Sequence, residues 1–143
     1  METYDPKLYT VIVAAVPVDA EAYADGEFIK LERDTDKFTD VAGTGGGVAR
    51  AKQHDDRATC TLTLLQTSPM NAVLSTLANL DANTDGGQGV GPFALKDRGG
   101  STAHAASKCW IARMPDVTLE KGVTARQWKI RIAKLNQFEG GNG

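Results

Sequence analysis

Most of the hydrophobic periodicity along this chain has a period of two, the mark of strands with one buried face and one polar face. "YTVIVAAV" (9–16) and "EFIKLER" (27–33) are the first two predicted strands. "RATCTLTLLQ" (57–66) alternates cleanly: Cys60, Leu62 and Leu64 fall on one face, Thr59, Thr61 and Thr63 on the other. "PFALKD" (92–97) and "AASKCWIARM" (105–114) follow, joined through Gly99-Gly100, a natural hairpin turn. In "RQWKIRIAKL" (126–135), Trp128, Ile130 and Ile132 point one way while Gln127, Lys129 and Arg131 point the other. Strands of this kind predict a mainly β protein, an antiparallel sandwich or barrel.

One stretch changes period. "TSPMNAVLSTLANLD" (67–81) offers Ser68 as N-cap and Pro69 at the first helical position, predicting one flanking helix over about 68–81. Met70, Val73, Leu74, Leu77 and Leu80 recur at helical spacing. They form one apolar stripe, expected to lie across the open end or one face of the sheets. "DANTDGGQGVG" (81–91) reads as its exit loop.

Between the second and third strands, residues 34–55 show little core pattern. A connection that long in a compact domain is functional or disordered. "GTGGG" (43–47) places four glycines at its middle, and the flanks "KFTDV" and "VARAK" are able to pair as a flexible hairpin. The segment is therefore expected to be a long arm loop.

The 143 residues suit a single domain (1–143) with a flexible, glycine-rich C-terminus at 139–143. Net charge is −2, so no basic footprint for tight nucleic-acid binding is visible. The longest apolar run, Val11 to Val18, is too short to span a bilayer and carries Pro17; no membrane insertion by this chain is expected. Met1 is followed by Glu2 and Asp5 and not by a cationic stretch, so no signal peptide is read. Cys60 and Cys109 lack a CxxC spacing and sit in strand-like runs, which favours buried thiols over a disulfide.

Candidate chemistry is sparse. A phosphate-binding loop needs a lysine and a helix after its last glycine; here neither follows Gly47. "DANTDG" (81–86) matches the opening of a calcium loop, with Asp81, Asn83 and Asp85 at positions one, three and five, but position twelve is Pro92 in place of a bidentate glutamate. His54 and His104 have no metal-like or triad-like companion, Asp34, Asp36 and Asp40 read as a solvated acidic loop, and Ser68 lacks a GxSxG setting. The chain is expected not to be an enzyme and to use no cofactor or metal, with a small-ligand or calcium-binding β-barrel module left as an alternative.

At "RATCTLTLLQTSPMNAVLSTLANLD" (57–81) the chain resembles a family of small bacteriophage structural proteins, those that form the inner tail tube of contractile-tailed phages. "FIKLERDTDKFTDVAGTGGGVARAK" (28–52) is similar to the family's strand, acidic-aromatic turn and glycine-tipped arm. "GVGPFALKDRGGST" (89–102) resembles its Gly-Pro strand, and "CWIARMPDVTLEKGVTARQWKI" (109–130) its Trp-Ile strand, Pro turn and Arg-x-Trp strand. The ordered set spans roughly residues 8–138, and the glycine-dense tip and "KQHDD" are this chain's own departures.

The resemblance implies a tail-tube-like β-sandwich or barrel whose copies form hexameric rings. Rings stack into a β-lined tube, and the arm bridges to the adjacent ring. It also implies a tail sheath protein around the tube, tape-measure protein within it, baseplate and tail-terminator proteins at its ends, and transient, non-specific passage of double-stranded DNA. The place is then the virion tail, assembled in the host bacterial cytoplasm. A secretion-system or bacteriocin-like tube shares the architecture and stays open as an alternative. Phe38, Val41, Gly45, Gly46, Gly47, Val48 and Arg50 are the candidate inter-subunit or inter-ring arm residues, and Thr59, Thr61 and Thr63 the candidate channel-facing ones. Three physical arguments agree. Pairing between subunits relieves exposed sheet edges; one closing and one open head-to-tail contact make stacked rings; and a conduit for DNA must avoid a basic lining that grips phosphates.

Overall fold

The computed structural model describes residues 3–18, 23–98 and 100–140. After a 3-10 turn at Pro6–Leu8 come β1 (Tyr9–Val13), β2 (Val16–Val18), β3 (Ile29–Arg33), β4 (Phe38–Ala42), β5 (Val48–Lys52) and β6 (Ala58–Leu65). A single helix among the described residues, α1 (Met70–Asn83), precedes β7 (Gly91–Asp97), β8 (Ala103–Arg113), β9 (Ala125–Ile132) and β10 (Asn136–Phe138). The protein is thus mainly β with antiparallel pairing throughout, as the alternation predicts. The main sheet runs β2-β1-β7-β8-β9-β6-β3, with β10 beside β8, while β4 and β5 form a separate two-stranded sheet.

The core is assembled from alternate residues of several strands. Trp128, Ile130 and Ile132 of β9 lie on the same face as Cys60, Leu62 and Leu64 of β6, all at most 1% exposed, and Val11, Val13, Phe93 and Leu74 are among the other members of the buried cluster. Strands from both halves of the sheet contribute to one cluster, so the sheet curls around its own apolar face. Both cysteines are free and buried. Burial pushes the Cys60 thiol up to about 12 and also raises Cys109, whose Sγ accepts a hydrogen bond from the Ala14 amide at 3.2 Å. They are packing groups.

The first predicted strand is broken. Residues 9–16 are a hairpin whose two-residue turn, Ala14-Ala15, has φ values of 49° and 70°. Alanine resists this left-handed backbone by roughly 1–2 kcal/mol per residue. Two tertiary hydrogen bonds offset that cost: the Ala14 amide to Cys109, and the Ala15 amide to the Pro92 carbonyl at 3.2 Å. Gly91 makes the approach possible, since a Cβ there would meet Ala14 backbone atoms at 2.7–2.9 Å.

The helix departs from expectation at both ends and along its stripe. It begins at Met70, with Pro69 in the cap position; Ser68 still caps it, its Oγ accepting from the Met70 amide at 3.2 Å. The predicted stripe is incompletely covered: Leu74 is buried, but Val73 and Leu80 are 44% and 43% exposed. The curled sheet fills its own interior, which leaves the helix a narrow seat. That seat is polar as well as apolar: Asn71 accepts from the Trp128 indole N–H at 3.0 Å and donates to the Leu65 carbonyl at 2.9 Å. The helix runs on to Asn83, so Asp81 and Asn83 are helical, and Asp81 Oδ1 accepts from the Gly89 amide at 3.2 Å. The first and third positions of the calcium-loop pattern are therefore not in a loop.

The β7–β8 turn includes Gly99, which lies outside the described residues, and β8 starts at Ala103, earlier than predicted. At the C-terminus, β10 was not foreseen, and the first two residues of the predicted flexible tail are docked. Thr102 donates to the Gly140 carbonyl at 3.1 Å, and Glu139 lies 3.2 Å from His104 Nε2. Residues 141–143 lie outside the described residues.

Candidate assembly surfaces

The predicted arm loop is an ordered hairpin. β4 and β5 pair in register from Phe38↔Lys52 to Ala42↔Val48, and all residues of both five-residue strands are exposed. The glycines supply its tip: the Gly43 amide donates to the Gly47 carbonyl at 2.7 Å, and Gly46 has a φ of 87° that suits glycine. Cross-strand partners share a face. One face therefore carries Phe38, Asp40, Val48, Arg50 and Lys52, with the Arg50 guanidinium 4.2 Å above the Phe38 ring. The other carries Thr39, Val41, Ala49 and Ala51 and holds no charge. Val41 and Val48, each 71% exposed, touch little of their own chain.

A two-stranded ribbon is marginal alone. What holds this one is its root, which the sequence did not reveal. Asp34, read there as part of a solvated acidic loop, pairs with Arg131, 97 positions away, and accepts from the Thr59 hydroxyl at 2.9 Å. Lys37 reaches Asp56 at 2.9 Å, and Arg33 Nε donates to Gln137 at 3.1 Å. Arg57 grips Asp55 through two nitrogens at 2.9 and 2.8 Å and holds that carboxyl down at about 2; Lys37 lowers Asp56 in the same way. The arm is exposed but firmly oriented.

The threonine face lies opposite the core, as the alternation required. β6 is flanked there by β3 and β9, so Thr61 sits between Lys30 and Lys129, and Thr59 between Glu32 and Arg131. Two of these cations have carboxylates on the same face, Lys30 with Glu32 at 2.7 Å and Arg131 with Asp34. Thr63 departs from its channel-facing expectation: it is only 8% exposed. Its own backbone is bracketed by the preceding segment, its amide donating to the Phe28 carbonyl at 2.8 Å and its carbonyl accepting from Ala24 at 3.1 Å.

A further surface was missed. Between β8 and β9, residues 114–124 form no strand, yet Val117, Leu119 and Val123 are 73%, 78% and 65% exposed. The segment is pinned. Gln66 exchanges bonds with Thr124 at 2.9 and 3.0 Å, and Arg126 donates to the Thr118 carbonyl at 3.3 Å. Its odd-numbered apolar residues were the available signal.

Residues 14–140 match the family described as "Bacteriophage PhiTE tail tube protein". The chain is 24% identical over 144 residues to "Structural protein ORF10" of Pseudomonas phage KPP10, covering 98% of this chain and 83% of that protein. Its fold is similar to the anti-feeding prophage cap (AFP tube terminating cap), with a TM-score of 0.61 at 9% identity, over 96% of this chain and 92% of that one. It is also similar to the sheath/tube terminator of an extracellular contractile injection system, PVC, in the extended state, with a TM-score of 0.53 at 8% identity, over 97% and 99% of the two chains. The match over residues 14–140 takes in the whole arm and all of the main sheet beyond β1, and the chain belongs to the bacteriophage PhiTE tail tube protein family.

Proposed function

We propose that this chain is a non-enzymatic virion protein that joins copies of itself into stacked hexameric rings, the inner tail tube through which double-stranded DNA leaves the particle. The observation that carries this reading is the arm, a hairpin exposed on both faces and locked at its root to β6 and β9. An ordered but uncovered ribbon has its apolar area available for a neighbour without first losing chain entropy. Contacts with sheath, tape-measure, baseplate and terminator proteins follow from that role, with assembly in the host bacterial cytoplasm. On this reading the β3–β6–β9 polar face lines the bore around Thr59 and Thr61, and the carboxylates beside Lys30 and Arg131 weaken its hold on phosphate. A DNA-free tube is the second reading, favoured by the fold likeness to parts of an anti-feeding prophage and an extracellular injection system.

Negative-stain microscopy of the purified protein over a concentration series tests the proposal. Tubes are expected, and deletion of residues 43–47 is expected to leave a folded monomer that fails to elongate. A wild-type chain that stays monomeric at every concentration sinks the tube reading. Normal tubes from the deletion variant sink only the role of the arm.

A further inference from the structure

The curled sheet leaves a gap where it fails to close. β3 ends the hydrogen-bonded order, and β8, β9 and β6 separate it from β7, yet Leu31 of β3 and Leu95 of β7 line one cavity of about 370 Å³. That volume falls among those of small-ligand sites. Tyr4, Tyr9 and Phe28 give it aromatic walls, and the exposed Glu27 and Glu139 add two carboxylates. No lysine or arginine is among the described residues that line it. The walls are set in advance. Phe28 stacks on Tyr23 with ring centroids 4.6 Å apart, the Tyr23 hydroxyl donates to the Tyr9 carbonyl at 3.3 Å, and the Tyr4 and Tyr9 rings meet at 5.9 Å.

His104 supplies the second observation. It lines the same cavity, with its side chain only 4% exposed. Nε2 lies 3.2 Å from a Glu139 carboxylate oxygen, which can only accept, so Nε2 carries the proton of the neutral ring and Nδ1 is left as an acceptor. Nδ1 is buried and has no hydrogen-bond partner. Native proteins seldom leave such an atom unpaired, and an unplaced donor is the ordinary reason.

We propose that this cavity is a binding site for a guanidinium group, held flat against the aromatic rings with its N–H groups directed to Glu27, Glu139 and His104 Nδ1. The lining selects this ion. An anion would meet two carboxylates and no fixed cation, and a purely apolar ligand would leave Nδ1 unpaired. Guanidinium is flat, weakly hydrated and rich in donors, so it stacks on aromatic faces and forks onto carboxylates better than an ammonium does. The Tyr9 phenol is raised by burial and then by Asp97, Tyr4 and Glu139, which agrees with an excess of negative charge there. The same contacts serve a free guanidinium compound or an arginine side chain of another polypeptide.

Nitrogen NMR of the full chain, held below its assembly concentration, tests the site with ethylguanidine as the free ion and Nα-acetyl-arginine N-methylamide as the side chain. The His104 Nδ1 signal is expected to move and saturate, while His54, exposed and the only other histidine, stays in place. Glu27→Gln, at an exposed position, is expected to keep the fold and weaken binding about tenfold. The uncharged citrulline counterpart of the blocked arginine is expected not to bind. Saturation by the blocked arginine shows that the cavity admits a side chain, and saturation by ethylguanidine alone restricts it to free ions. An Nδ1 signal unmoved by both probes, equal affinity for the citrulline compound, or undiminished binding in Glu27→Gln overturns the assignment. None of these results bears on the tube reading, which microscopy decides separately.

Discussion

Asp34 at the foot of the arm binds Arg131 on β9, and the same carboxylate receives the Thr59 hydroxyl from β6. One side chain thereby joins the hairpin to two adjacent strands, β6 and β9, that carry the polar face. Arg131 is about one-third exposed and Asp34 much less, which puts the pair between the surface and buried regimes.

Asp34→Ala is therefore expected to cost about 1–2 kcal/mol of stability, between the values for exposed and buried pairs. The body stays folded while the arm loses its fixed direction. Hydrogen exchange at the β4–β5 amides should rise, and tube elongation should slow more than the stability loss alone accounts for. Unchanged exchange at Thr39–Val41 would show that Asp34 does not orient the arm.

Acid loosens the same root, and the sign follows from the direction of the shift. Asp55 is depressed from its ordinary 3.8 to about 2 by Arg57, and Asp56 is lowered by Lys37. Groups with depressed folded-state values contribute fully above their unfolded values, and the contribution fades as pH falls through the folded ones. Arm order is expected to hold down to about pH 4 and to decline towards pH 2, as carboxylate titration by NMR would record. Arg57→Ala should return Asp55 towards its ordinary value; an unmoved Asp55 titration would rule out Arg57 as the cause.

Trp128→Ala is expected to cost about 3–5 kcal/mol, the range for an aromatic truncation in a filled core. It also deprives Asn71 of its donor and so loosens the seat of the helix. Trp128→Phe keeps most of the ring volume and isolates the lost hydrogen bond, at about 1–3 kcal/mol. Chemical denaturation of the three proteins separates the two contributions.

Thr61→Lys tests the bore. Thr61 is half-exposed between Lys30 and Lys129, so a third cation there should leave folding intact while slowing DNA passage. Infectivity should fall in particles whose tails look normal, and the loss should ease as salt rises. Full infectivity would place this face away from the DNA path. Thr63→Lys is a poor substitute, since Thr63 is buried and its replacement is expected to destabilise the body.

The strand faces, the single helix and the limits of the arm were legible in the chain because each rests on local periodicity. Cys60, Leu62 and Leu64 had to share a face once β6 was extended, and the glycines at 43–47 had to form a turn between strand-like flanks. The arm's orientation was not legible. Asp34 looks like its neighbours Asp36 and Asp40, and only the pairing of β6 with β9 brings Arg131 to it.

The same division holds elsewhere in the molecule. By itself the sequence determined which side of β9, and of β6 as far as Leu62, would be buried, since a period of two leaves no other way to remove the apolar residues from water. The tertiary structure alone decided the left-handed Ala14-Ala15 turn, the burial of Thr63, the half-covered helix and the placing of the arm and the 114–124 segment at opposite ends of β6. Each depends on strand register and chain crossings between residues far apart in sequence, whose energies arise only when those partners meet.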